Sequence, residues 1–183
     1  MSPQYPPPAY GGQPSWGPYG PPVAPPGYYA TFGQRVVATL WDVVYVLPAL
    51  ALYVVAMVSL VIGVSIGPDS SSAGFLLVVI GGLLMLAAVV LGIWLTIKNV
   101  ILRQGRTGYT WGKAKVGIRC ILEINGQPCG VGNAVARYFL HGVINQACYL
   151  DYLWAIWDER NQTLTDKLLK TVVVNQPEGA SAR

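Results

Sequence analysis

An apolar run extends from Val43 to Ile66, where only Pro48, Ser59 and Ser65 interrupt aliphatic and aromatic residues. At about 1.5 Å per helical residue it is long enough to cross a hydrocarbon core about 30 Å thick. The pattern predicts a spanning helix with Pro48 in its first turns, where a missing donor costs least. A second run, Gly74 to Ile97, holds no ionisable residue and is edged by Trp94 and Lys98, the aromatic and cationic border of a membrane interface. It predicts a second span. The intervening Gly67-Pro68-Asp69-Ser70-Ser71-Ser72 is a short turn without lysine or arginine.

The third hydrophobic stretch, 131–157, is strongest from Tyr138 to Trp157 but contains His141, Asn145, Gln146 and Asp151. Polar groups at membrane depth are costly, so these should face protein, water or the interface. Val116 to Ile124 reads as a strand followed by the turn signal Asn125-Gly126. Thr171 to Val174 is a second β-branched run able to pair with it. Such pairing needs both segments on one side of the membrane. Residues 131–157 are therefore expected to enter and leave on the same face as a bent helix pair with arms of about 12 residues, each too short to cross the core. The break is expected near Asn145-Gln146. An ordinary third span is the alternative.

Composition narrows the solvent. Hydrophobic residues make up 53% and charged residues 11%, against about 25% charged in an ordinary soluble domain, which excludes a water-solvated globule of this size. Residues 1–30 differ again, with ten of the fourteen prolines, five of the eleven tyrosines and no charged side chain. They read as a disordered, polyproline-like tail, with PxxP spacing at Pro3/Pro6, Pro18/Pro21 and Pro22/Pro25. No basic segment followed by an apolar one precedes Thr31, so no secretory signal is expected. Residues 175–183 read as a second disordered tail.

Charge sets the expected orientation. Lys98, Arg103, Arg106, Lys113, Lys115, Arg119 and Arg137 place seven of the twelve cations after the second run, and the first turn has none. By the positive-inside rule, 98–137 and the amino-terminal tail are cytoplasmic, with Arg35 at the entrance of the first helix. Arg160, Lys167 and Lys170 favour the same side for the carboxy-terminal tail. These cations lack interleaved stacking aromatics, so no nucleic-acid partner is expected.

Several strings have a bland reading. Gly63-Val64-Ser65-Ile66-Gly67 matches a nucleophile elbow, but it ends an apolar helix and the chain has only His141 as a base. Ser59, Gly63 and Gly67 instead form a small-residue face for close helix packing. Cys120, Cys129 and Cys148 show no metal-ligand spacing, and a cytoplasmic setting argues against a disulfide. No enzyme activity, cofactor or metal is expected. Asn161-Gln162-Thr163 fits a glycosylation acceptor, without meaning on a cytoplasmic bacterial tail.

Three blocks resemble one family. Phe32 to Asp42 (FGQRVVATLWD) looks like the opening signature of the RDD family of bacterial membrane proteins, named for one arginine and two aspartates. Thr110 to Arg119 is similar to that family's loop after its second helix, and Arg160 to Val174 to its carboxy-terminal block. The resemblance covers 31–174, and the proline-rich tail looks like that of actinobacterial members. It departs at Leu169-Lys170, where many relatives carry Ala-Gly.

The resemblance implies an all-α membrane protein, a helical multi-pass bundle with a small cytoplasmic β-hairpin and a disordered amino-terminal tail. Its functions are mostly unassigned; transport is proposed, with cation/proton exchange for some members. The signature residues would be Arg35, Asp42 and Asp166, with Asp151, Arg137 and His141 as secondary candidates. Arg35 and Asp42 stand seven residues apart, nearly on one helix face and about 10 Å apart along the axis, so they cannot touch. Asp42 would lie deeper than Arg35 if the helix begins at Val36. It then serves as an ion- or proton-binding carboxylate or is hydrogen-bonded at headgroup level. Thr163-Leu164-Thr165-Asp166 has a capping-box pattern starting a short helix through Lys170, compatible with a network shared with Arg35. The expected partners are the lipid bilayer, a small cation or proton, and a second copy or partner protein. Transport competes with a scaffold role for the PxxP tail or basic loop.

Overall fold

The computed structural model describes residues 27–68, 71–145 and 150–176. The tail expectations for 1–26 and 177–183 fall outside these residues, as does Cys148. The elements in order are α1 (Phe32–Ile66), α2 (Ser72–Thr96), a π-helical segment (Ile97–Arg103), α3 (Gln104–Thr107), α4 (Trp111–Val116), β1 (Ile118–Leu122), α5 (Gly130–Asn145), α6 (Leu150–Trp157), α7 (Leu164–Leu168) and β2 (Thr171–Asn175). They form two compact units, one of residues 42–99 and one of residues up to Trp41 together with Val100 onward.

The 42–99 unit is a helix pair. Its inward positions are small: Ala49, Ala56, Gly74, Gly81 and Ala88 are buried, while Val54, Val58, Leu83, Leu86 and Val90 are exposed. Large apolar side chains outside and small ones inside suit a lipid solvent, in which backbones approach closely for van der Waals contact. A Cβ on Gly63 would lie 2.8 Å from the Val78 backbone nitrogen, and one on Gly74 would lie 2.8 Å from the Gly67 carbonyl oxygen. The Ser59 hydroxyl donates to the Leu77 carbonyl at 2.9 Å. The small-residue face read from the sequence is thus the contact surface.

Phe32–Ile66 and Ser72–Thr107 are long and apolar enough to cross a membrane, so the described residues contain two candidate spans. Pro48 is not in the first turns. α1 begins at Phe32, because Thr31 and Gln34 cap it reciprocally (Thr31 N to Gln34 Oε1, 2.9 Å; Gln34 N to Thr31 Oγ1, 3.3 Å), and Pro48 stands well inside the helix.

The other unit is built on a sheet whose strands are far apart in sequence. β1 and β2 pair antiparallel, from Ile118 opposite Asn175 to Leu122 opposite Thr171. Residues 28–30 add to the far edge of β2: Tyr29 bridges Val174, Ala30 N donates to Val173 O at 2.9 Å, and Asn175 N donates to Tyr28 O at 2.8 Å. One buried cluster joins Ala30, Ala38, Ile118, Cys120, Cys129, Ala134 and Val173.

The pairing of β1 with β2 is the one expected between the run ending at Ile124 and the run at 171–174, although the two strands are not joined as a hairpin. The Asn125-Gly126 turn forms, with Gly126 N bonded to Leu122 O, but the chain beyond it returns only as far as a bridge from Pro128 to Ile121. The partner of β1 is the run at 171–175, as expected. Val116, by contrast, is helical rather than extended. The Thr110 side chain accepts from Lys113 N to start α4, and Gly117 ends the helix at φ 75°, a conformation that favours glycine.

The third stretch is two helices, α5 of 16 residues and α6 of 8. The arms are unequal, about 24 and 12 Å long. α5 ends at Asn145 and α6 begins at Leu150; the break expected near Asn145-Gln146 falls at 146–149, outside the described residues.

Where α7 hands over to β2, Lys170 has φ 50°, a left-handed conformation that costs an L residue roughly 1–2 kcal/mol and glycine little. Part of that gain is offset by the greater freedom of glycine in the unfolded chain. Lys170→Gly is therefore expected to stabilise the protein by roughly 0.5–1 kcal/mol, read as a rise in the thermal unfolding midpoint in detergent. An unchanged or lower midpoint would show that Lys170 is not strained.

Candidate functional site

Asp166 occupies the centre of the sheet unit. Thr163 caps α7: its hydroxyl accepts from Asp166 N at 3.0 Å, and Asp166 Oδ2 accepts from Thr163 N at 3.2 Å. This is the predicted capping box, on a helix that ends at Leu168 rather than Lys170. The same carboxylate does more than cap. Its Oδ2 accepts from Arg35 Nη1 at 2.6 Å, its Oδ1 pairs with Arg137, and Thr171 Oγ1 donates to Oδ1 at 3.1 Å. Arg137 Nη1 also donates to Thr171 Oγ1 at 2.9 Å and to Cys120 Sγ at 3.2 Å.

α1, α5, α7 and β2 therefore meet at one ion cluster. All its members are buried, with Arg35 7%, Arg137 5% and Asp166 0% exposed. Burial alone would raise the carboxyl's pKa, but the guanidinium groups of Arg137 and Arg35, with the Thr163 amide, hold it well below the usual carboxylate range. Asp166 thus stays ionised at neutral pH.

Asp151 forms a second centre beside the first. Its Oδ1 accepts from Thr165 N at 2.7 Å and its Oδ2 pairs with His141 Nδ1. Asp151 is in this way fixed to Thr165, the residue of α7 that precedes Asp166. A third anchor follows α6, where Asp158 pairs with Lys167 and accepts from Gln162 N at 3.0 Å. Gln162 Nε2 in turn donates to the Thr171 carbonyl at 2.9 Å.

Five of the six candidates, Arg35, Asp166, Arg137, Asp151 and His141, are brought together in the sheet unit. Asp42 is not among them; it belongs to the 42–99 unit. There Asn99 Nδ2 donates to Asp42 Oδ1 at 2.8 Å. Asn99 is 3% exposed and lies in the π-helical segment Ile97–Arg103, a form of backbone that is rare and frequent at functional sites. Of the two signature residues on α1, Arg35 is the buried one, and Asp42 is half-buried.

Sequence reading missed Asn99, although a lone amide between Lys98 and Val100-Ile101-Leu102 was a visible signal. It also missed Thr171 and Cys120 as members of the ion cluster. Cys120 and Cys129 are both free and buried. Among the described residues no group of three or more His, Cys, Asp or Glu is arranged to hold a metal.

Comparison with known proteins matches residues 29–170 to the RDD family model. The chain is 41% identical over 70 residues to the "Proline-rich antigen" of Mycobacterium leprae (strain TN), covering 38% of this chain and 28% of that protein. It is 35% identical over 83 residues to the "Proline-rich antigen homolog" of Mycobacterium tuberculosis (strain ATCC 25618 / H37Rv), covering 45% of this chain and 35% of that protein. The matched segment thus spans about a third of the length of these curated relatives. No solved structure matches. With the signature arginine and the carboxy-terminal aspartate joined in one buried ion pair, and the family model covering most of the sequence, the chain belongs to the RDD family of membrane-type proteins.

Proposed function

We propose that this chain is a multi-pass membrane protein that moves a small cation or proton across the bilayer, with Asp42 as the carboxylate that binds it. The observation that carries this reading is the Asp42–Asn99 hydrogen bond within the apolar helix pair, at the point where the second helix leaves α-geometry. An acid on a spanning helix is a functional group by default. Asp166 has the opposite character, since two guanidinium groups hold it ionised and its role is to fasten the sheet unit together. The transport class itself comes from the family resemblance.

The proposed topology has residues 1–30, the 98–137 segment and the carboxy-terminal tail on the cytoplasmic face, with 31–174 as the membrane domain. The sheet supports it. Segments 28–30, 118–122 and 171–175 hydrogen-bond to one another, and backbone pairing of this kind needs all three on one side. Two spans between Tyr29 and Ile118 return the chain to the side from which it entered.

Purified protein in sealed liposomes carrying a pH or sodium gradient is expected to dissipate that gradient. Asp42→Asn should abolish the flux, and Asn99→Ala should lower it, with insertion unchanged. Equal transport by wild type and Asp42→Asn would remove the carboxylate from the mechanism. No flux from wild type, together with a pull-down partner lost on deleting 1–30, would favour the scaffold class.

A further inference from the structure

α5 and α6 have their polarity reversed relative to a helix on a water-soluble domain. Ala134, Arg137 and Ala155 are buried, as is Asp151 at 0% exposure; Arg137 and Asp151 reach α7, and Ala134 packs in the apolar cluster beside the sheet. The opposite faces carry Phe139 at 64%, Val143 at 70%, Ile156 at 51% and Trp157 at 77% exposed, and Trp154, 47% exposed, stands at their edge. Positions 134, 137 and 141 share one side of α5, with 139 and 143 opposite. On α6, 151 and 155 lie opposite 153, 156 and 157. Charge inside and aromatic and aliphatic bulk outside leave an apolar surface that water does not solvate well.

We propose that this surface is seated in the headgroup and upper acyl zone of an anionic membrane leaflet, so that residues 130–157 form an interfacial elbow and not a third span. Three observations choose this occupant. The helices are 16 and 8 residues long, about 24 and 12 Å, short of a ~30 Å core. Both ends are tied to the same sheet, by β1 before the elbow and β2 after it. The surface is also bordered by charged side chains: Arg160, Lys167 and Lys170 are exposed beyond Trp157, with Lys167 paired to Asp158 and Arg160 3.8 Å from Glu123, and the Lys167 ammonium lies 5.7 Å from the Trp154 ring centroid. Exposed indoles beside ammonium groups suit the interfacial belt, where the ring meets the acyl boundary and the cation meets lipid phosphate.

The inference rests on the membrane reading above, and its test separates the two. Full-length protein with Cys148→Ser is labelled with a nitroxide at Val143→Cys or Trp157→Cys, Cys120 and Cys129 being buried. It is then reconstituted in phosphatidylcholine vesicles with and without phosphatidylglycerol. Collision with oxygen is compared with collision with a water-soluble nickel complex. Controls are Val54→Cys and Val90→Cys in the helix pair and Ile124→Cys at the exposed turn.

At 143 and 157 the oxygen-to-nickel ratio is expected to be several-fold above that at 124 and below that at 54 and 90. At 157 it should rise with phosphatidylglycerol, and Arg160→Gln with Lys170→Gln should remove that rise. Aqueous readings at 143 and 157 with lipid readings at 54 and 90 would overturn the elbow alone. So would a mid-bilayer reading at 143, which marks a third span, spin–spin coupling between copies, which marks a second chain as the occupant, or an insensitivity to phosphatidylglycerol. Aqueous readings at 54 and 90 would overturn the membrane reading as well.

Discussion

Asp166→Asn is expected to cost about 3–5 kcal/mol, enough to unfold the sheet unit or lower its melting midpoint steeply, because it leaves two buried guanidinium groups without their counter-charge. Arg35 and Arg137 both direct donors at this one carboxylate, and neither is open to water. An asparagine keeps the shape and part of the capping hydrogen bonding, so the loss isolates charge from volume. Thermal unfolding of the purified protein in detergent checks it, and a midpoint within a degree or two of wild type would show that the ion cluster adds little.

The same group gives a pH dependence with a defined sign. Burial would raise the Asp166 carboxyl's pKa, but Arg137 and Arg35 depress it below its unfolded value. Its contribution is therefore complete above the ordinary carboxylate value of about 4 and is lost as pH falls from there through the strongly acid range. Wild type should lose stability on acidification below that point. Asp166→Asn, lacking the titrating group, should show a flatter profile.

Arg137→Met comes second in size, at about 2–3 kcal/mol, and the difference is informative. Methionine replaces much of the stem, and Asp166 retains Arg35 and the Thr163 amide. What is lost is one ion pair and the donor to Thr171 Oγ1 and Cys120 Sγ. The double variant should then cost less than the sum of the singles, with a coupling of about 1–3 kcal/mol, because each change removes the partner that makes the other costly. Strict additivity, measured in the same unfolding assay, would mean that Arg137 and Asp166 act independently.

Much of this molecule was legible where the chemistry is local. Thr163 and Asp166, three residues apart, announced a capping box, and the box is present. Ser59, Gly63 and Gly67 announced a close helix contact, and α2 packs there. The β-branched run at 171–174 announced a strand. Local signals also misled where two competed. Val116 continued an apolar run that read as extended, yet the Thr110 cap and Gly117 made that stretch the end of a helix.

The sequence by itself determined the two long apolar helices, the small-residue face between them and the caps of the short helices, since each depends on neighbours within a few positions or on a repeated pattern. Only the tertiary structure decided the partners of the charged groups. Arg35 finds Asp166 across 131 residues, and Asp42 finds Asn99 across 57; the pairing of β1 with the β-branched run at 171–175 was by contrast already suggested by the sequence. A charge in a one-dimensional pattern shows that it needs a counter-charge or a polar neighbour, and the path of the chain selects which one. For the same reason the weak third stretch could not be read as span or elbow from hydropathy. Among its described polar residues, Asp151 is held by Thr165 of α7 and by His141, and Arg137 by Asp166, contacts that exist only in the folded unit.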